Sequence, residues 1–240
     1  MNSGFFTMRC FPLLAAVLCL SACEIHSAHS SPAQYDAQSV EMDASELVHV
    51  NLHMGAGDLR VTDGSQKLMR ADFTYSVPEW KPEVRYTSSS GRGVLTIEQP
   101  KSTHAHLGNT RYLWDLQLSN KVPMDLTVNF GAGQARLDLG SLLLRGVELH
   151  MGVGKLDMDL RGKPRHNYSV NIHGGVGEAT VRLPADAGIY AEAHGGIGSI
   201  DVRGLRSEGG HWVSEPRDQA SAKIRLDING GIGAIKVIAD

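Results

Sequence analysis

Aromatic residues and cysteines are scarce in this chain. Phe, Trp and Tyr together make up 6% of its 240 residues, and only three cysteines are present. Beyond the N-terminus there is no long hydrophobic run and no useful stretch of helical periodicity, which favours an all-β protein. The formal net charge of −3 argues against non-specific binding to nucleic acid.

Sequence signatures of catalysis are also missing. Each Gly-Xaa-Gly unit is followed by a second alternating run rather than a helix, which excludes a nucleotide-binding loop, and no nucleophile elbow occurs. Asp157 and Asp159 resemble the paired carboxylates of pectin-lyase-like β-helices, but no clear catalytic Lys or Arg accompanies them. We therefore expect neither enzyme activity nor a cofactor, and a polysaccharide-active enzyme is only our third hypothesis.

Residues 1–22 have the features of a targeting segment. A single positive charge, Arg9, precedes an apolar run that is too short to span a bilayer comfortably. The run ends in Leu-Ser-Ala-Cys, which is similar to a bacterial lipobox and predicts that the Cys23 thiol carries diacylglycerol. The alternative is a plain secretory signal with an incidental cysteine.

The expected mature chain starts at Cys23 and contains no other cysteine, so it cannot form an intramolecular disulfide. Loss of Arg9 leaves 22 basic against 26 acidic residues, a net charge of −4. The polar, Ser- and Ala-rich residues 23–46 are predicted to be a flexible tether. Lipidation would hold the protein at the outer membrane or at the outer face of the inner membrane.

A Gly-Xaa-Gly unit flanked by alternating apolar residues occurs six times. The middle units follow one another at intervals of 21, 23 and 21 residues, and the last interval is 35. A period near 21 is typical of one solenoid coil, and the alternation is typical of strands with one buried face. The predicted structural corner glycines are Gly55, Gly57, Gly131, Gly133, Gly152, Gly154, Gly175, Gly177, Gly196, Gly198, Gly231 and Gly233.

The middle residue of every unit keeps the phase of the preceding apolar run, but the next apolar residue follows after three positions instead of two. Such a step reverses the side-chain parity of a flat strand, so the backbone must bend or bulge at the glycines. Because the middle residues continue the alternation of the buried apolar residues before them, they are predicted to face the core. They are Ala56, Ala132, Val153, Val176, Ile197 and Ile232.

One coil buries too little apolar surface to be stable alone, so the coils are expected to stack in parallel and in register. We predict a single-domain β-solenoid over residues 124–240, preceded by a less regular β cap over residues 47–123. The long last interval contains an insertion between Arg203 and Ser221. Its Trp212 is expected either to cover the core or to be an exposed contact residue.

A histidine or asparagine stands two positions before each Gly-Xaa-Gly and is predicted to point outward. Stacking in chain order would place His150, His173 and His194 above one another, with Asn129 and Asn229 at the two ends. With nearby carboxylates this row could hold a divalent metal. The alternatives are a polar ladder that fixes the register of the strands and an incidental solvated row.

Several segments are similar to the toast-rack family and to related adhesin-like β-solenoids. They are Gly55-Ala-Gly-Asp-Leu59, Pro82-Glu-Val84, Trp114-Asp-Leu-Gln-Leu118, Pro123-Met-Asp-Leu-Thr-Val128, Gly131-Ala-Gly133, Leu137-Asp-Leu139, Leu142-Leu-Leu144 and Gly152-Val-Gly154. The resemblance implies a cell-envelope β-solenoid with relatives in cell-wall stress responses. Those relatives often carry several membrane helices, whereas here a single lipid anchor is predicted.

The sequence thus predicts a non-catalytic, lipid-anchored protein of the bacterial cell envelope that acts as a structural, adhesive or sensory interaction module. Its expected partners are the membrane, through the lipid, and an envelope protein or polysaccharide. The second hypothesis is a metal- or carbohydrate-binding envelope protein that uses the outward His/Asn row.

Overall fold

The computed structural model describes residues 32–101, 110–215 and 220–240. Cys23 and the targeting segment lie outside these residues, so lipidation stays a prediction. Within them the only helix is the short 3₁₀ turn Pro78–Trp80, and no helix could cross a membrane. The strands are β1 Gln34–Val40, β2 Leu47–Thr62, β3 Met69–Tyr75, β4 Glu83–Ser89, β5 Arg92–Glu98, β6 Tyr112–Leu118, β7 Met124–Asp138, β8 Leu144–Asp159, β9 Tyr168–Leu183, β10 Gly188–Arg203, β11 Arg206–Glu208, β12 His211–Val213 and β13 Lys223–Ala239.

Six long strands carry the repeat and form the body of the protein. β2, β7, β8, β9, β13 and β10 pair in parallel in this order, and each carries one Gly-Xaa-Gly unit near its middle. The register aligns the units, so Gly133 faces Gly57 on one side and Gly154 on the other. The predicted all-β solenoid of stacked rungs is therefore confirmed.

The order of the last two rungs differs from the order of the chain. β13 lies between β9 and β10, although it follows β10 in sequence. The prediction that the rungs stack in chain order is therefore wrong at this end. The repeat could not reveal this, because β10 and β13 present nearly the same motif, His194-Gly-Gly-Ile-Gly and Asn229-Gly-Gly-Ile-Gly. Either strand could occupy the place next to β9 with its glycines in register.

Each long strand bends sharply at its glycines. A Cβ atom built on Gly230 would lie 3.0 Å from Ile235 Cδ1, although five residues of straight strand would span about 17 Å. The two halves of a strand also bury side chains in one common core, as Ile228 and Ile235 do. The bend turns both halves toward the same interior despite the reversed parity.

The prediction that the middle residues face the core is wrong. Val153, Val176, Ile232 and Ile197 are 54%, 45%, 51% and 72% exposed, and Ala56 and Ala132 are exposed as well. The physical reason is the position of these residues on the convex side of the corner. The inner side of the corner is taken by side chains from both halves of the strand, as Met54 and Leu59 of β2 are both buried in the core.

The N-terminal section covers both halves of β2, the strand at one end of the stack. β5 pairs with the first half of β2 and β6 with its second half, and β4 and β3 add antiparallel strands to these two. Edge-to-face contacts of Trp114 with Phe73 and Tyr112, at 5.7 and 5.9 Å between ring centroids, fill the interior beside β6.

The predicted flexible tether is shorter than expected. Residues 23–31 lie outside the described part, but Gln34–Val40 form β1, which pairs antiparallel with β3 along its whole length. The tether prediction is therefore wrong for these seven residues. Their polar composition suits an edge strand with mostly exposed side chains, and the partner strand supplies the backbone hydrogen bonds.

At the opposite end of the stack, the described residues cover only the first half of β10. β12 pairs with β10 at Tyr190 and Ala191, and β11 extends this hairpin outward. Trp212 of β12 is partly buried and packs against the core, which is the first of its two predicted positions. Among the described residues no strand covers the second half of β10. Ile200 there is accordingly 40% exposed, whereas the equivalent Ile235 is 6% exposed.

Candidate interaction surface at the strand corners

The outside of the corners forms one continuous surface made of three parallel rows. The first row holds the His and Asn side chains, the second holds the first glycine of each unit, and the third holds the apolar middle residues. Because the strands are in register, each row crosses all six rungs with one residue per rung. The rungs are about 4.8 Å apart, so each row is a nearly straight ladder.

The glycines of this surface are required by the close approach of neighbouring rungs. A Cβ atom at Gly152 or Gly175 would lie less than 3.0 Å from the carbonyl oxygen of the glycine in the next rung. The second glycine of each unit has the same conflict and also a positive φ, 144° at Gly154 and 146° at Gly177. Side-chain-bearing residues rarely adopt this conformation, so two independent constraints select glycine there.

The His/Asn row follows the spatial order of the strands. From β2 to β10 it reads His53, Asn129, His150, His173, Asn229 and His194.

Neighbours in this row interact with one another. The His150 and His173 rings stack with centroids 5.1 Å apart and an interplanar angle of 11°. Asn129 Nδ2 lies 3.3 Å from His53 Nδ1, within hydrogen-bonding distance. These contacts are those of a polar ladder that supports strand register.

The row does not assemble the predicted metal ligands. Asn229 of the inserted strand β13 separates His194 from His173, so the three histidines are not consecutive. His150 Nε2 instead lies 2.9 Å from Glu148 Oε1. In residues 32–101, 110–215 and 220–240 no group of three or more His, Cys, Asp or Glu side chains is placed to hold a metal ion. The prediction of a joint His150, His173 and His194 site fails because it assumed stacking in chain order.

An open groove follows the first glycine row. It has a volume of about 640 Å³, and its lining includes Gly55, Gly131, Gly152 and Gly175 together with the histidines beside them. The floor is bare backbone because the glycines carry no side chains. The groove is thus a direct consequence of the same close packing that requires glycine.

The apolar middle residues form a ridge, which we call the corner ridge. Across the rungs it reads Ala56, Ala132, Val153, Val176, Ile232 and Ile197, so the side chains grow larger toward β10. The four larger ones are each at least 45% exposed. Contiguous exposed aliphatic side chains of this kind mark interaction sites in soluble proteins. Sequence analysis missed the ridge because it placed these residues inside. The three-residue step itself was the available signal, since it marks a corner with an outer side.

The two acids considered for catalysis are both engaged in ion pairs. Asp157 pairs with Arg182, and Asp159 Oδ2 lies 2.6 Å from Arg161 Nη2. Hydrogen bonding from Arg161 lowers the pKa of Asp159 below its ordinary value. Both carboxylates are thereby held as structural partners of arginines rather than as a pair facing a substrate.

Comparison with known proteins agrees with this architecture. A family model described as the N-terminal domain of toast_rack, DUF2154, matches residues 29–182. The crystal structure of a "putative cell adhesion protein" from Clostridium sporogenes is 34% identical, with a TM-score of 0.82, and the match covers 87% of this chain and 100% of that one. No curated protein matches the chain.

Two further solved structures are more distant. "Putative adhesin" structures from Bacteroides fragilis and Parabacteroides distasonis are 10% and 12% identical, with TM-scores of 0.35 and 0.31. The matches cover 87% and 85% of this chain and 98% and 97% of theirs. These likenesses are too weak to inform fold or function. The extent of the family match and the 34% identity to a structure of the same fold show that the chain belongs to the toast-rack family.

Proposed function

We propose that this chain is a lipid-anchored, non-catalytic protein of the bacterial cell envelope that serves as a structural or adhesive interaction module. The observation that carries the proposal is the corner ridge, which leaves a line of aliphatic side chains in water without any partner in the described part of the chain. Keeping such a surface exposed costs free energy unless a partner covers it. The 34% identity to a structure described as a "putative cell adhesion protein" supports the same type of role.

The chemistry of the ridge favours an apolar protein surface as its partner. Val153, Val176, Ile232 and Ile197 offer only hydrocarbon, whereas the hydroxyl groups of a polysaccharide need polar partners when they lose water. Spaced about 4.8 Å apart, the four residues form a contact line of about 14 Å. The adjoining His/Asn row offers hydrogen-bonding groups along one side of this line.

Membrane attachment through Cys23 is the second part of the proposal. Ten residues separate Cys23 from Gln34, so even a fully extended connection reaches about 40 Å at most. Attachment would therefore keep the solenoid close to the membrane that carries the lipid.

Replacing Cys23 by alanine tests the anchor. We expect Cys23→Ala to prevent acylation, so that metabolic labelling with a radioactive fatty acid marks the parent but not the variant. The variant should fold normally, because the core residues lie between Val48 and Val237. Fatty-acid labelling of Cys23→Ala equal to that of the parent would show that Cys23 is not the lipidated residue.

Site-specific photo-crosslinking in intact cells tests the ridge. A photoreactive residue at Val176 should give discrete adducts with an envelope component, whereas the same residue at Asn171 should not. Both positions are exposed on β9 and only five residues apart, which makes Asn171 a matched control. Changing the flanking Val153 and Ile232 to serine should at least halve the adducts from Val176. Equal adducts from both positions, or none, would contradict a role of the ridge in binding.

A further inference from the structure

The loops at the beginning of the repeat strands enclose a cationic pocket on a different part of the protein. The pocket has a volume of about 650 Å³ and lies between the connections that precede β7, β8 and β9. Lys121 comes from the first connection, and Lys163, Arg165 and His166 come from the third. The pocket shares no lining residue with the groove beside the corner ridge.

The charge of this pocket is opposite to that of the whole protein. Three permanently charged side chains, Lys121, Lys163 and Arg165, line it together with His166, and no acidic side chain does. The complete chain has a net charge of −3. A concentration of one sign of charge in a concave site raises the local concentration of ions of the other sign.

Within the part of the chain that the structure describes, no acidic side chain forms an ion pair with the cations of this pocket. Lys163 and Arg165 make no ion pair with any residue that the structure describes, and Lys121 Nζ lies 2.9 Å from the neutral Gln66 Oε1. Two nearby arginines of the solenoid differ in this respect, since Arg161 pairs with Asp159 and Arg182 with Asp157. The three pocket cations thus retain their capacity for an external anion.

Tyr168 adds a neutral donor to the same site. Tyr168 is one of the residues that line the pocket and is 9% exposed as a whole, and its hydroxyl group has no hydrogen-bond partner among residues 32–101, 110–215 and 220–240. Burial raises the pKa of the phenol above its ordinary value, so the group stays protonated at neutral pH. A protonated hydroxyl without a partner can donate to an anion.

We propose that this pocket binds a phosphate group, carried either by an anionic lipid headgroup or by a free phosphate compound. A phosphate combines up to two negative charges with three acceptor oxygens, which matches several cations and a hydroxyl donor better than a single carboxylate does. Arg165 can offer two parallel N–H donors to phosphate oxygens, and the lysines can act as point charges. The site is independent of the corner ridge and of the adhesive role.

Titration of the full chain with inorganic phosphate tests this site. The lipoprotein, kept in micelles of a neutral detergent, is titrated by calorimetry at constant ionic strength adjusted with chloride. We expect saturable binding of one phosphate per chain. Changing Lys163 and Arg165 together to glutamine should weaken it about tenfold or more, because the site would lose two of its three basic side chains and their charge-assisted hydrogen bonds.

A control variant removes the same charge elsewhere. Lys67→Gln with Arg70→Gln changes two exposed cations that form ion pairs with Glu41 and Asp72. This variant should bind phosphate as the parent does. Absence of saturable binding in the parent, or equal weakening in both double variants, would overturn the proposal.

The source of the phosphate is distinguished by two further probes. One is glycerol phosphate, and the other is short-chain phosphatidylglycerol supplied in the same micelles, with short-chain phosphatidylcholine as its zwitterionic reference. Binding of phosphatidylglycerol at least tenfold tighter than glycerol phosphate, without binding of phosphatidylcholine, would assign a lipid headgroup. Equal affinity for both phosphate compounds would assign a free phosphate. Failure of both to bind would overturn the site, whatever the outcome of the ridge experiments.

Discussion

Replacing Gly154 by alanine is expected to lower the free energy of unfolding by about 4 kcal/mol or more. Gly154 has a φ of 144°, and a Cβ atom there would overlap the backbone carbonyl of Gly133 in the next rung. Backbone cannot move aside as a flexible side chain can, so the rungs must separate. Folded domains are stable by only about 5 to 15 kcal/mol, so a loss of this size is a large fraction of the total stability. Urea unfolding followed by circular dichroism measures the change.

Gly174→Ala provides the matched control in the neighbouring strand. Gly174 has no positive φ, and a Cβ atom there would meet no atom within 4 Å. It lines a small apolar cavity of about 30 Å³ inside the corner, where the preceding rung has Met151. We expect a gain of about 0.4 to 1 kcal/mol, because alanine restricts the unfolded chain. Similar losses for both variants would show that the close approach of the rungs does not explain the glycine at 154.

An aspartate at Ile172 should unfold the protein, whereas an aspartate at Val176 should be tolerated. Ile172 is 1% exposed in the common core, so a carboxylate there would be buried without a partner, at a cost on the order of 4 kcal/mol or more. Val176 is 45% exposed, and its replacement should change the free energy of unfolding by about 1 kcal/mol at most. Thermal unfolding of both variants measures the difference.

This comparison discriminates between the two possible orientations of the corner. Both residues belong to β9 and are four positions apart, so chain position and strand are matched. If Val176→Asp were as destabilising as Ile172→Asp, the middle residues would face the core and the corner ridge would not exist. Photo-crosslinking from Val176 would then have no structural basis.

A local defect in this fold should affect the entire stack. Each rung is stabilised mainly by its two neighbours, so the loss of one rung interface exposes the core on both sides. β8 pairs with β7 on one side and β9 on the other, and a Cβ atom at position 154 would force β8 away from Gly133 of β7. We expect the Gly154→Ala variant to lose structure cooperatively rather than only at one corner.

The repeat pattern was sufficient to predict the class of fold and the register. Period-two apolar residues identify strands, and the Gly-Xaa-Gly unit that all six long strands share fixes one alignment of neighbouring rungs. The outward position of His150 and His173 also followed from the alternation. Each histidine comes directly after a buried residue, Leu149 or Ile172, and adjacent side chains of a strand point to opposite faces. These features are local, and local sequence determines them.

Two features depended on contacts between distant parts of the chain. The side chain of Val176 points outward because the two halves of the strand approach each other closely at the corner. The spacing of residues in the sequence does not reveal this approach. The cationic pocket likewise combines Lys121 with Lys163 and Arg165, from connections separated by the whole of β7 and β8. In the sequence, these three basic residues follow no regular spacing, so nothing distinguishes them from ordinary surface charges.

By itself, the sequence determined that the chain forms stacked parallel β-rungs with glycine at every corner, because these properties follow from periodicity and from the absence of a side chain. Only the tertiary structure decided that β13 enters between β9 and β10 and that the middle residues point outward. Nearly identical motifs make alternative strand orders equal in local energy. Packing across the whole core, together with the course of the insertion, then selects one of them.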